Sequence, residues 1–185
     1  MTDLPYSLDI TVELLLASPL HRYEGRPADG PLPAAGTETR ERIELRAGLG
    51  VVGDRYFGGK AHVREAVTVM AAESLDAITA ELGLDAIPDA ANTRRNIIVR
   101  GVDVDALRGT TFSIDTGDGP VLFLAHRPAN PCAWMNVTLA PGAHKALRRR
   151  GGMRCEPLSD GTLTLGAAVM RADAPLGSLS QNLEN

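Results

Sequence analysis

Apolar residues along this chain recur mostly at every second position, and such runs predict strands rather than helices. "LDITVELLL", residues 8–16, is β-branched and partly alternating, and "ERIELRA" (41–47) alternates cleanly. "REAVTVM" (64–70) and "RRNIIVRG" (94–101) are read as strands, and "TTFSI" (110–114) and "VLFLAH" (121–126) flank the turn "DTGDGP". "MRCEPL" (153–158) and "TLTLGAAVM" (162–170) flank "SDG", which is a hairpin signal.

Helical spacing occurs in three places. In "AAESLDAITAELG" the residues Leu75, Ile78 and Leu82 share a face, and Gly83 is expected to end the helix. "DVDALRG" predicts a short helical turn, with Asp103 as cap and Gly109 as stop. "APGAHKALRRRGG", residues 140–152, predicts a third helix. Pro141 suits its first turn, the cations suit its C-terminal dipole, and Gly151 ends it. The helices do not alternate strictly with the strands, which argues against a doubly wound sheet. Many short strands with Gly-rich turns predict a mainly β fold, a closed or nearly closed antiparallel barrel. The stretch 18–40, dense in Pro, Gly and Ala, is expected to be a long surface loop. The tail from residue 171 to residue 185 has few large apolar residues and is expected to be mobile.

Composition adds limits. The chain has 185 residues, which suits one domain. Aromatics make up only 4%, so aliphatic side chains must fill the core. The net charge of −4 gives no general attraction to nucleic acid or anionic membrane. No apolar run approaches the ~20 residues of a membrane helix, and the start lacks the marks of a secretory signal. Two cysteines make no disulfide framework, so a reducing, cytoplasmic compartment is expected.

The candidate chemistry centres on "RPANPCAWMN", residues 127–136. Cys132 follows Pro131 and lies two residues before Trp134, the chain's only tryptophan. The prolines predict a rigid turn rather than mid-strand. Arg127 is near in sequence, and a cation beside a thiol favours the thiolate, which is both nucleophile and soft metal ligand. From the residues alone, a reactive Cys132 and a buried structural one stand level. Cys155, on a strand face with Met153, reads as a small buried hydrophobe. Arg94, Arg95 and Asn96 at a strand start could meet an anion. Arg148, Arg149 and Arg150 read as dipole complement. "GLGVVG" (48–53) matches G-x-G-x-x-G, but "DRYFGG" is a poor helix start, so the glycines read as a tight loop. Asp54 after that loop orients a ligand or closes a turn, and Glu73 suits a helix start with or without a function. The four histidines are scattered, with no metal-ligand spacing.

Together these pieces resemble the MOSC domain family, named for the C-terminal domain of molybdenum cofactor sulfurases. The matching stretches run in family order: "SPLHRYEGRP", "GLGVVGDRYFGG", "REAVTVMAAESLD", "RRNIIVRGVDVDALRGTTFSI", "RPANPCAWM" and "RRRGGMRCEPLSDGTLTLG". The resemblance implies a single domain over 1–170, a barrel with peripheral helices, and a role in molybdenum cofactor or sulfur handling. It nominates Cys132 as the sulfur that ligates molybdenum or carries sulfur. It nominates Arg94, Arg95, Asn96 and Asp54 around the pterin cofactor. Some branches that reduce N-hydroxylated compounds carry Cys-x-x-Cys here. In this chain Met135 takes the second position and supplies no thiolate, so it looks like the single Pro-Cys branch. No pyridoxal-phosphate desulfurase domain is present in the sequence, nor any flavin, haem or iron–sulfur signature. A reductase partner or a separate cysteine desulfurase is therefore implied, together with a small-molecule substrate. A non-catalytic binding domain is the remaining alternative.

Overall fold

A computed structural model describes residues 3–34 and 36–179. Eleven strands and three short α-helices are connected by loops and 3-10 turns. The strands β1 (Tyr6–Leu16), β2 (Thr39–Arg40), β3 (Arg42–Arg46) and β4 (Gly50–Val51) come first. β5 (Val67–Ala71), the helix α1 (Glu73–Leu82), β6 (Ile97–Arg100), β7 (Thr111–Asp115) and β8 (Val121–Pro128) follow. The chain then runs through α2 (Met135–Thr138), α3 (Ala143–Ala146), β9 (Met153–Pro157), β10 (Gly161–Thr164) and β11 (Gly166–Ala172).

Seven strands close into a barrel in the order β1–β11–β7–β8–β9–β5–β6 and back to β1. All neighbours are antiparallel except β5 and β6, which run parallel. α1 and the segment after it provide the crossover that a parallel pair requires. β1 closes the ring by pairing with both β11 and β6, with a register shift between Val12 and Leu14. β3, β4 and β10 form a separate small sheet.

The barrel is filled by alternate residues of each strand. Phe112 and Phe123 stack inside it with ring centroids 5.3 Å apart, beside Met153, Cys155, Met170 and Val69. β5 and β6 are buried on both faces, which is why "VTVM" and "NIIV" read as unbroken apolar runs. Met70 and Ile98 face outward into a second cluster with Leu75, Ile78, Trp134, Met135 and Leu147. The three helices pack there, on one flank of the barrel.

Four expectations need correction. Residues 140–152 are not one helix. Gly142 takes a left-handed conformation (φ 93°) after Pro141, and within the segment only the single turn of α3 is helical. "SDG" makes no hairpin: β9 pairs with β5 and β8, whereas β10 pairs with β3. Side chains of that turn bind elsewhere instead. Asp160 Oδ1 accepts from Ala47 N at 2.8 Å, and Ser159 Oγ accepts from Leu122 N at 2.9 Å. The run 162–170 is split at Gly166 (φ 111°), so its halves serve different sheets. The chain beyond residue 170, expected to be mobile, is built into the fold as far as Leu179. Arg171 and Ala172 finish β11, Leu176 and Leu179 pack on the core, and Gly177 O accepts from Asp103 N at 2.8 Å. Residues 180–185 of that tail lie outside the described residues. Gly83 (left-handed) ends α1 and Asp103 caps the 104–107 turn as the sequence predicts.

Candidate functional site

One end of the barrel gathers the loop after β1, the turn after β4, the start of β6 and the Pro-Cys segment after β8. They enclose a cavity of about 170 Å³. Cys132 lies on it with its thiol free and exposed, whereas Cys155 is fully buried in the barrel and burial pushes its thiol pKa up. Cys155 is the small buried residue that the sequence suggested, and Cys132, left open by the residues alone, is exposed. Trp134 and Tyr23 stack beside the cavity at 5.1 Å, and Met135 is buried in the outer cluster, 3% exposed.

The Pro-Cys segment is held by a close backbone approach. Ala129 N donates to Gly152 O at 2.7 Å, and a side chain at Gly151 or Gly152 would collide with the Ala129 or Val69 backbone. At Gly152 an added Cβ would lie 2.8 Å from Met70 Cα. "RGG" is therefore a steric requirement of this end of the fold. Arg95 reinforces it: Nε donates to Gly151 O at 2.9 Å and Nη2 to Ala129 O at 2.6 Å. Among the described residues no carboxylate forms an ion pair with Arg95. Burial, then the nearby Arg154 cation, pulls its pKa down to about 10, so it still carries its charge at neutral pH.

Arg94 and Arg95 both reach the cavity because neither is yet in β6. Arg94 ends a 3-10 turn in a left-handed conformation (φ 60°), which breaks the up–down alternation of a strand. Arg94 is committed to Glu38. Asn96 is also committed: its Oδ1 accepts from Thr68 N and Oγ1, and its Nδ2 donates to Leu16 O and Asp54 Oδ2. Asp54 is buried beneath the cavity wall, accepting from Ser18 N, Tyr56 N and Asn96 Nδ2. Arg127 and Arg150 do not line the cavity: Arg127 pairs with Glu65, which also holds Arg154, and Arg150 pairs with Glu81, while Glu73 accepts from Gly101 N.

Arg55, Arg154, Tyr23 and Tyr56 also line the cavity and were not singled out in the sequence. Arg154 was legible, since alternation puts it on the opposite face from buried Met153 and Cys155. Arg55 stands next to the nominated Asp54, and nothing in "GDRY" tells which of the two faces a ligand. Its Nε and Nη1 are shielded from solvent and have no hydrogen-bond partner among the described residues. The nearest carboxylate oxygen, Asp54 Oδ2, is 3.7 Å from Nη1. The site is an exposed thiol at the mouth of a small cavity walled by guanidinium groups.

The MOSC domain model matches residues 53–170, most of the chain. The chain belongs to the MOSC domain family. The matched span holds Arg55, Arg94, Arg95 and Cys132, but not β1, which closes this MOSC barrel. Three solved structures share the architecture. The YuaD protein from Bacillus subtilis aligns over 90% of this chain and 97% of its own, at 16% identity and TM-score 0.67. YiiM from Escherichia coli aligns over 87% and 69%, at 15% identity and TM-score 0.56. YiiM from Geobacillus stearothermophilus aligns over 95% and 77%, at 15% identity and TM-score 0.54. No curated protein matches the chain. Among the described residues no helix is long and apolar enough to cross a membrane.

Proposed function

We propose that this MOSC domain binds molybdenum cofactor at the Cys132 cavity and serves as the reductase module for an N-hydroxylated small molecule, with electrons from a separate protein. The observation that carries this reading is an exposed thiol beside buried Arg55 nitrogens that make no hydrogen bond among the described residues. Desolvated cationic donors cost free energy until an acceptor meets them, and an anionic group is the acceptor they fit. The donor set therefore suits the cofactor: Cys132 would supply the sulfur ligand, and Arg55 with Arg95 would face its anionic part. When bound, the cofactor supplies the oxidation–reduction chemistry. The chain's own part is to hold one sulfur on a fixed loop and to neutralise charge. Arg94, Asn96 and Asp54 support this from behind, since their hydrogen bonds go to the protein. Trp134 gives the test. Titration of the free protein with molybdopterin should change its fluorescence saturably, and Arg55→Met should weaken the binding. No change in either protein would refute the reading.

A second reading is a sulfur carrier, in which Cys132 takes a persulfide from a desulfurase and passes it on. The size of the cavity favours it. About 170 Å³ is below the ~300 Å³ at which pockets begin to enclose a whole drug-sized ligand.

A further inference from the structure

We propose that the cavity is a seat for a small sulfur-bearing dianion of the thiosulfate class, and that Cys132 takes the outer sulfur from it. The proposal rests on the sulfur-carrier reading and names its donor.

Three observations define the ligand. A small ligand fills the cavity, because this open space offers about 170 Å³. The ligand must be anionic. Arg55, Arg95 and Arg154 all line the space; Arg154 pairs with Glu65 at 3.2 Å and Arg55 lies 3.7 Å from Asp54, whereas Arg95 has no carboxylate partner among the described residues. Arg55 is largely buried, its guanidinium over the Tyr56 ring at 4.6 Å, and its Nε and Nη1 make no hydrogen bond among the described residues. A guanidinium fork matches the geometry of an oxyanion. Third, the ligand must offer an atom that a thiol can attack, since Cys132 is the exposed nucleophile of the cavity. A plain phosphate or sulfate meets the first two demands and not the third. Thiosulfate meets all three, and its leaving group is an oxyanion on which guanidinium groups stabilise developing charge.

The step balances without a further reagent. The thiol proton goes to solvent, and the Cys132 thiolate attacks the outer sulfur of thiosulfate. A bond forms between Sγ and that sulfur as its bond to the sulfonate sulfur breaks. The bonding pair leaves with sulfite, and Cys132 is left as a persulfide anion. No outside electron donor or acceptor takes part. A thiol or cyanide acceptor then removes the outer sulfur and restores the thiolate.

The purified full chain is mixed with thiosulfate, sulfite is measured, and peptide mass mapping locates any added sulfur atom. Turnover is followed as thiocyanate formed with cyanide. The expected result is one equivalent of sulfite per chain, with the sulfur on the Cys132 peptide and none on that of Cys155. Cys132→Ser should abolish both readouts. Arg55→Met should raise the KM for thiosulfate by about tenfold to a hundredfold, the loss expected for a hydrogen bond to a charged group. Arg55→Lys should recover part of it, and a circular dichroism melt confirms that each variant is folded. If thiosulfate leaves Cys132 unmodified while a cysteine desulfurase with cysteine loads it, the thiosulfate proposal falls and the carrier reading stands. If neither donor loads it, both fall. Equal KM values in the wild type and a folded Arg55→Met variant would remove Arg55 from the seat and overturn the proposal.

Discussion

Arg94 and Glu38 meet through two parallel contacts, Nη1 to Oε2 at 2.7 Å and Nη2 to Oε1 at 3.0 Å, with the side chains only 6% and 11% exposed. Arg22 and Ser18 join the same carboxylate, so the long loop after β1 is pinned to the start of β6. This arrangement takes Arg94 out of the contest for an external anion and leaves Arg55 and Arg95 as the cations for a ligand. Burial alone would raise the Glu38 pKa, but hydrogen bonds from Arg94, Ser18 and Arg22 win and hold it at about 2.

That depression makes a pH prediction. The folded pKa of Glu38 lies below its ordinary value of 4.5, so its contribution is complete above about 4.5 and is lost as pH falls through about 2. Urea unfolding should show stability declining over that window, by on the order of 3 kcal/mol for this group. Glu38→Gln should be less stable at neutral pH and should flatten the decline. An unchanged acid limb in the variant would contradict the assignment.

Asp105 carries the opposite sign. Its carboxyl is raised to about 6 by burial, and the nearby Asp103 adds to this against the pull of Gly152 N–H and Arg95. The folded state therefore holds this proton more tightly than the unfolded chain, and stability falls as pH rises from about 3.8 to about 6. Asp105→Asn keeps an acceptor for Gly152 N–H and removes the ionisation. It should stabilise the protein at neutral pH by about 1–3 kcal/mol, with the gain vanishing near pH 4. A destabilised Asn variant at neutral pH would show that the negative charge is needed beside Arg95.

Arg95 should act as the clamp of the Pro-Cys segment. Arg95→Met leaves the Ala129 and Gly151 carbonyls without their donors, and should cost about 2–4 kcal/mol. Amide exchange around residues 129–133 should quicken more than in the barrel strands. Arg95→Lys keeps charge without the fork and should fall between the two. Exchange unchanged in the Met variant would deny Arg95 this role.

Much of the barrel was legible because strand alternation reports burial directly. β7, β8 and β9 each put their odd or even apolar set inside, as "TTFSI", "VLFLAH" and "MRCEPL" imply. The two-residue strands β2 and β4 were not legible, since a pair of residues has no period. The "SDG" turn misled because its side chains bind strands distant in sequence, which local turn chemistry cannot reveal. The site was half legible. The Pro-Cys thiol and the Arg94–Arg95 pair stand out by residue type. The division of labour among the arginines does not, because it depends on which carboxylates reach them: Glu38 reaches Arg94 from 56 residues away. Arg55 becomes visible only as a guanidinium whose buried Nε and Nη1 make no hydrogen bond among the described residues.

The most direct measurement is the molybdenum and pterin content of this protein isolated from a molybdenum-replete host. The account predicts molybdenum and pterin together in the wild type, approaching one per chain, and loss of molybdenum in a folded Cys132→Ser variant. A clean, folded wild-type protein with neither metal nor pterin would contradict it.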